Sequence, residues 1–198
     1  MKKLIASILF CLVAAGSVFG YTLFKDQKAL ETELVRLHVV ANSDSPEDQD
    51  IKLRVRDAVL ASIGSAMEEA GDGESARAYL RENLPKIQKA ANETLKRLGC
   101  PDLAEVSLCR EDFERRVYDT FSLPAGVYEA LRVTIGAGEG HNWWCVAFPQ
   151  LCVPATAGEV ETAAKAAGLP ESLGGAMTGR YRLRFYLLDL LGGLETGG

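Results

Sequence analysis

The sequence predicts an α+β fold: a largely antiparallel sheet with a helix pair packed on one face, preceded by an N-terminal export or anchor helix. Three observations predict it. Between Pro46 and Leu98 apolar residues recur at three- and four-residue steps, the period of amphipathic helices. Residues 34–40, 104–113 and 128–135 alternate instead, as strands with one wet face do. The order of strand, helices, then strands is that of segregated layers rather than of repeated β-α units.

The chain opens on Met1-Lys2-Lys3 and a mostly apolar run through Phe24, the form of a basic n-region followed by an export segment. Residues 1–24 are either a signal peptide, with the small Gly20 and Val18 ahead of Tyr21, or a retained anchor that contacts the membrane through residues 4–24. Residues 25–33, with Lys25, Asp26, Lys28 and Glu31, are polar enough for a tether, which leaves residues 34–194 as one α+β domain. A chain of 47% hydrophobic and 25% charged residues is globular rather than disordered. Without residues 1–24, which carry only Lys2 and Lys3, the 22 basic side chains fall to 20 against 27 acidic, a net charge of −7. That balance, with no basic stripe, excludes a nucleic-acid footprint.

Val35, Leu37 and Val39 alternate with Arg36, His38 and Val40, which predicts a half-buried first strand. Ser45 as N-cap, Pro46 at the first helical position and acidic Glu47 and Asp48 in the first turn then start a helix. Ile51, Val55, Val59, Ile63 and Met67 form its stripe, and Gly71-Asp72-Gly73 ends it. A second helix begins near Glu74, with Pro85 expected to kink or split it and Asn83 as a possible new cap; Gly99 and Pro101 stop it. Strands over 104–113 and 128–135 are separated by an irregular 114–118 and a turn at Leu123-Pro124-Ala125-Gly126.

Residues 142–148, Asn-Trp-Trp-Cys-Val-Ala-Phe, have no polar face and predict a central strand that closes an antiparallel meander. Cys145 and Cys152 flank Pro149 and either close a disulfide or remain two buried thiols. Residues 156–167 are predicted helical, stopping at Gly168, and 180–194 are expected to start as a strand and turn helical.

Arg36, His38, Asn42, Ser43 and Asp44 place polar groups at and beyond one strand end, a candidate partner-binding surface. Ser45 and Pro46 are accounted for by capping, whereas Asn42 and Asp44 suit capping and recognition equally. Trp143 and Trp144 point to opposite faces of their strand, so each is a core residue or an anchor for a partner. His38, His141 and Cys145 invite comparison with a Cys-His hydrolase, but a reactive thiol needs an exposed, electropositive setting that a buried strand does not provide. No cysteine or histidine spacing indicates a metal, and no cofactor motif is present.

Two stretches carry a resemblance. One is Arg36-Leu37-His38-Val39-Val40-Ala41-Asn42-Ser43-Asp44-Ser45-Pro46-Glu47-Asp48, continuing through Lys52 to Val59. The other is Leu123-Pro124-Ala125-Gly126-Val127-Tyr128, leading into Asn142-Trp143-Trp144-Cys145 and on to Leu151-Cys152. Together they resemble the stage II sporulation protein R family of endospore-forming bacteria. The resemblance implies a non-catalytic signalling protein, made in the forespore and exported across its membrane into the intermembrane space, secreted or anchored. There it would activate a membrane-embedded aspartic protease of the mother cell, which processes the pro-sigma-E factor. The alternative function is an extracytoplasmic hydrolase acting on cell-envelope material, with His38, His141 or the carboxylates of the 42–48 loop in its site.

Overall fold

Apolar residues through Phe24 and helix formers beyond them make one continuous α1 (Lys2–Glu33) in the computed structural model, which describes residues 2–152, 157–170, 173–174 and 177–178. This helix has a window of mean hydropathy 2.1 that is long enough to cross a membrane and lies unburied. The stretch expected as a tether is the last part of the helix, and its Leu30 is buried against the sheet.

Strand β1 (Val35–Val40) follows after one residue, then α2 (Pro46–Glu69) and α3 (Gly73–Arg97). Ser45 caps α2 by accepting from the Asp48 N–H at 3.1 Å, and Asp72 caps α3 by accepting from Ser75 N–H at 2.8 Å. Pro85 lies inside an unbroken α3, and Asn83 donates back to the Tyr79 carbonyl instead of starting a new helix. Burial of Leu80, Ile87, Ala91 and Leu95 on one stripe outweighs the single backbone bond that Pro85 forfeits.

The remaining elements are β2 (Ala104–Phe113), β3 (Arg116–Val117), β4 (Ser122–Leu123), β5 (Gly126–Ile135), β6 (Asn142–Phe148) and α4 (Ala157–Ala166). Residues 114–118, expected to be irregular, contribute β3 to a small two-stranded ribbon with β4. The main sheet runs β2-β5-β1-β6, with β1 parallel to β5 and antiparallel to β6, and β2 antiparallel to β5. It is mixed and mostly antiparallel, with α2 and α3 on one face as the α+β reading expects. The order is not a meander, because β1 separates β5 from β6. The 180–194 expectation lies outside the described residues.

Two corrections concern burial. The first strand is buried along its whole length rather than on one face. Val35, Leu37 and Val39 meet α2 and α3, while the opposite face is covered by Leu30 and Leu34, the β3–β4 ribbon and Val160 and Ala164 of α4. Strand β6, expected to be central, is at the sheet edge. Its apolar run reflects cover on both faces at Cys145–Phe148, not strands on both sides, and its first residues are only partly buried.

Candidate functional site

Arg36 and His38 project from β1 onto the face opposite α2 and α3, so period-two geometry puts both under the ribbon and β6. Arg36 is fully buried. Its guanidinium lies 4.1 Å from the Phe113 ring centroid and 5.3 Å from that of Tyr128, and one Nη donates to the Tyr118 hydroxyl at 2.8 Å. Its other two nitrogens have no hydrogen-bond partner among the described residues. Burial lowers its pKa against the opposing pull of Tyr118 and Tyr128.

His38 stacks on Trp144 with ring centroids 5.6 Å apart, and the Arg116 guanidinium lies 4.0 Å from the centroid of the same indole. The imidazole Nδ1 is 2.7 Å from Glu111 Oε2 and Nε2 is 2.9 Å from the Asn142 side-chain amide. Both partner atoms, Glu111 Oε2 and Asn142 Oδ1, are acceptors, so a ring bearing an N–H on each nitrogen donates to both. Glu111 also accepts from Arg132 at 3.1 Å. Burial works to raise the Glu111 carboxyl, and the His38 hydrogen bond brings it below its ordinary value instead. Both ring nitrogens of His38 are thus engaged by side chains of the domain itself.

The other three residues of the predicted cluster form a latch. Asn42 accepts from Ala137 N–H at 2.9 Å and donates to Asp48 at 3.1 Å, and Asp48 also takes the Ser43 hydroxyl. Asp44 accepts from the His141 backbone N–H at 2.6 Å and pairs with its ring, while Lys52 donates to the His141 carbonyl at 2.9 Å. Gly140 is required here because a Cβ would overlap the Ser43 carbonyl. Asn42 therefore spends its side chain on joining two loops, Ser43 spends its hydroxyl within its own loop on Asp48 and Ser45, and Asp44 remains exposed.

Trp143 faces α2, with the Arg56 guanidinium 4.3 Å from its ring, and its indole N–H is buried without a partner among the described residues. Cys145 and Cys152 are joined, with Cα atoms 5.1 Å apart. That bond removes Cys145 as a nucleophile, and burial raises the thiols of Cys100 and Cys109, which disfavours their thiolates. The partners that sequence reasoning missed are Glu111, Asn142, Arg116 and Arg132. A lone histidine in an apolar strand signals that some partner must exist, but not which.

The latch and the His38 pair make an acid sensitivity. Asp48 is held below the usual carboxylate range chiefly by Ser43, and Glu111 is below its own. With folded pKa values depressed, the unfolded chain binds more protons near its reference values of about 4, so stability rises with pH there. It should be level above about pH 5 and fall as pH drops through the folded values. Urea midpoints measured from pH 7 to pH 3 should show this decline, and Asp48→Asn should flatten it; an unchanged slope would remove Asp48 from the account.

Comparison with known proteins gives concordant matches. The family model for Stage II sporulation protein R (spore_II_R) matches residues 31–157. A protein of Bacillus subtilis (strain 168) called Stage II sporulation protein R is 36% identical over 160 residues, which cover 76% of this chain and 70% of that protein. No solved structure matches.

Proposed function

Because this chain belongs to the stage II sporulation protein R family, we propose that it is an exported signal from the forespore that activates a membrane-embedded aspartic protease of the mother cell, which then processes pro-sigma-E. A role in sporulation comes with the family. The observation that carries the finer reading is one of placement: an apolar helix long enough to cross a membrane leads directly into the family-matched region that begins at residue 31. We take residues 1–24 as signal or anchor, 25–33 as the link and 34–194 as the signalling domain in the intermembrane space.

A protein signal activates an enzyme only by binding its active form more tightly than its inactive form. A tenfold shift in that equilibrium needs about 1.4 kcal/mol of differential affinity. Among the candidate binding residues, Asp44 is exposed and Trp143 and Trp144 are half-buried, whereas Arg36 and His38 shape the surface from beneath. The hydrolase alternative receives less support, since Cys145 is in a disulfide and both nitrogens of His38 are engaged.

The test is co-expression of this protein, the protease and the sigma-factor precursor in a non-sporulating host. Precursor cleavage is expected only when the protease and the exported protein are both present, and deletion of residues 1–24 should abolish it. Absence of cleavage with all components made and folded would reject the activation reading.

A further inference from the structure

Helix α1 is longer than its apolar run, and its last turns belong to the domain. Leu30 and Leu34 are fully buried in the second core, among Phe113, Tyr128 and Ala130. Around them the Gln27 amide donates to the Ala125 carbonyl at 3.1 Å, Glu33 accepts from the Gly73 N–H at 3.0 Å, and Arg77 donates to the Thr32 carbonyl. A Cβ at Gly73 would overlap the Glu33 backbone, so α3 starts hard against the end of α1. Residues 27–34 are thus clamped by the turn before β5, by α3 and by the core together.

No flexible joint separates this clamp from the apolar run. Residues 21–33 are helical throughout and contain neither Gly nor Pro, the usual sites of a kink. At a rise of about 1.5 Å per residue, residues 4–24 cover roughly 31 Å, which matches a hydrocarbon core of about 30 Å. An export signal needs an apolar stretch of only about 7–15 residues. Lysines bracket the run, Lys2 and Lys3 at one end and Lys25 at the other. Gln27 lies about 4.5 Å along the axis beyond Phe24, within a headgroup layer of roughly 5–7 Å in each leaflet.

We propose that α1 is a retained anchor to which the domain is fixed as one body, with the turn at residues 124–126 held at the level of the lipid headgroups. The N-terminal lysines favour the side of synthesis, which sets the domain on the far side of the membrane. Height above the bilayer at this turn is set by the helix, whatever else packs around it. The sheet identifies the end that stands away from the lipid. Strand β5 runs ten residues from Gly126 to Ile135, and Gly136 beyond it donates to the Leu103 carbonyl at 3.0 Å. Leu103, 73% exposed, is therefore about 30 Å from Ala125 along the strand. An anchored signal of this form acts only on a protease that meets its membrane, not on one reached by diffusion.

The proposal takes the anchor arm of the proposed function, and its test involves neither protease nor precursor. The full chain, carrying the fluorescent residue acridonylalanine at Ala125 or at Leu103, is reconstituted in vesicles of phosphatidylethanolamine and phosphatidylglycerol that contain a headgroup nitroxide lipid. Quenching should be at least threefold stronger at Ala125 than at Leu103. A flexible Gly-Ser-Gly-Ser insertion between Phe24 and Lys25 should remove most of that difference, with the bond between Cys145 and Cys152 still formed. Equal quenching at the two positions, or a difference that survives the insertion, would overturn the rigid seat. Loss of residues 1–20 on export, read from the mass of the chain recovered from a non-sporulating host, would overturn the anchor. Either result leaves activation standing, and a failure of precursor cleavage on co-expression would leave the seat standing.

Discussion

Replacing Arg36 by alanine is expected to destabilise the fold by about 3–5 kcal/mol, whereas replacing it by methionine should change stability by less than about 1 kcal/mol in either direction. The difference follows from two properties of one buried side chain. Its length fills the space between Phe113 and Tyr128, and alanine would leave that space empty. Its charge is another matter, since it gains ring contacts worth about 2 kcal/mol and one charged hydrogen bond worth about 1.5–3 kcal/mol. Against these stands a desolvation cost of several kcal/mol with no carboxylate partner among the described residues to offset it. Methionine keeps the volume and removes both sides of that balance. Chemical denaturation of the two variants decides the matter: if methionine costs as much as alanine, the charge itself holds the ribbon in place through Tyr118.

The contrast between Arg36 and its neighbours also shows what the sequence makes legible. Helix α2 could be placed to the residue because its start is written locally, in Ser45, Pro46 and Asp48. Strand β2 likewise has the expected bounds, since alternation and the stop at Gly99 and Pro101 are local signals. The stacking of His38 on Trp144 was not legible, because it depends on β1 and β6 becoming neighbours, and nothing in either segment names the other. The same reason hid the full burial of β1: alternation reveals two faces, but a polar Arg36 or His38 on one of them suggests water unless its distant cover is known. The grouping of Arg36 to Asp44 as one surface failed to anticipate that a strand interior and the loop after it look in different directions. Asn42 and Ser43 turn into the latch, while Arg36 and His38 lie beneath the ribbon and β6.

The second large effect is expected from Cys145→Ser combined with Cys152→Ser. The bridge spans a sequence separation of seven residues, for which the loop-entropy relation gives a stabilisation of about 2.5 kcal/mol. In a chain of this size that corresponds to a fall in Tm of about 5–10 °C. Reduction of the unmodified protein should reproduce the fall, and reductant should leave the double variant unmoved. Equal melting of the oxidised protein and the double variant would show that the return of the chain is held by Leu151 and by Gln150, which donates to the Gly64 carbonyl at 3.0 Å, rather than by the sulfurs.

The place of β1 between β5 and β6 has a consequence for the order of folding, and so for the export proposed above. His38 and Asn142 are 104 residues apart in the chain yet hydrogen-bonded in the sheet. In a chain delivered through a membrane from its N-terminus, β1 would come first, but its partner β5 would follow only with residues 126–135 and β6 only with residues 142–148, so the sheet could not be completed until residue 148 had crossed. Helices α2 and α3, adjacent in sequence, can pair in the meantime. Such long-range closure slows folding, to the millisecond-to-second range in domains dominated by it. Under the export proposed above, slow closure would keep the chain unfolded enough to thread for most of its passage, because the topology completes the domain last.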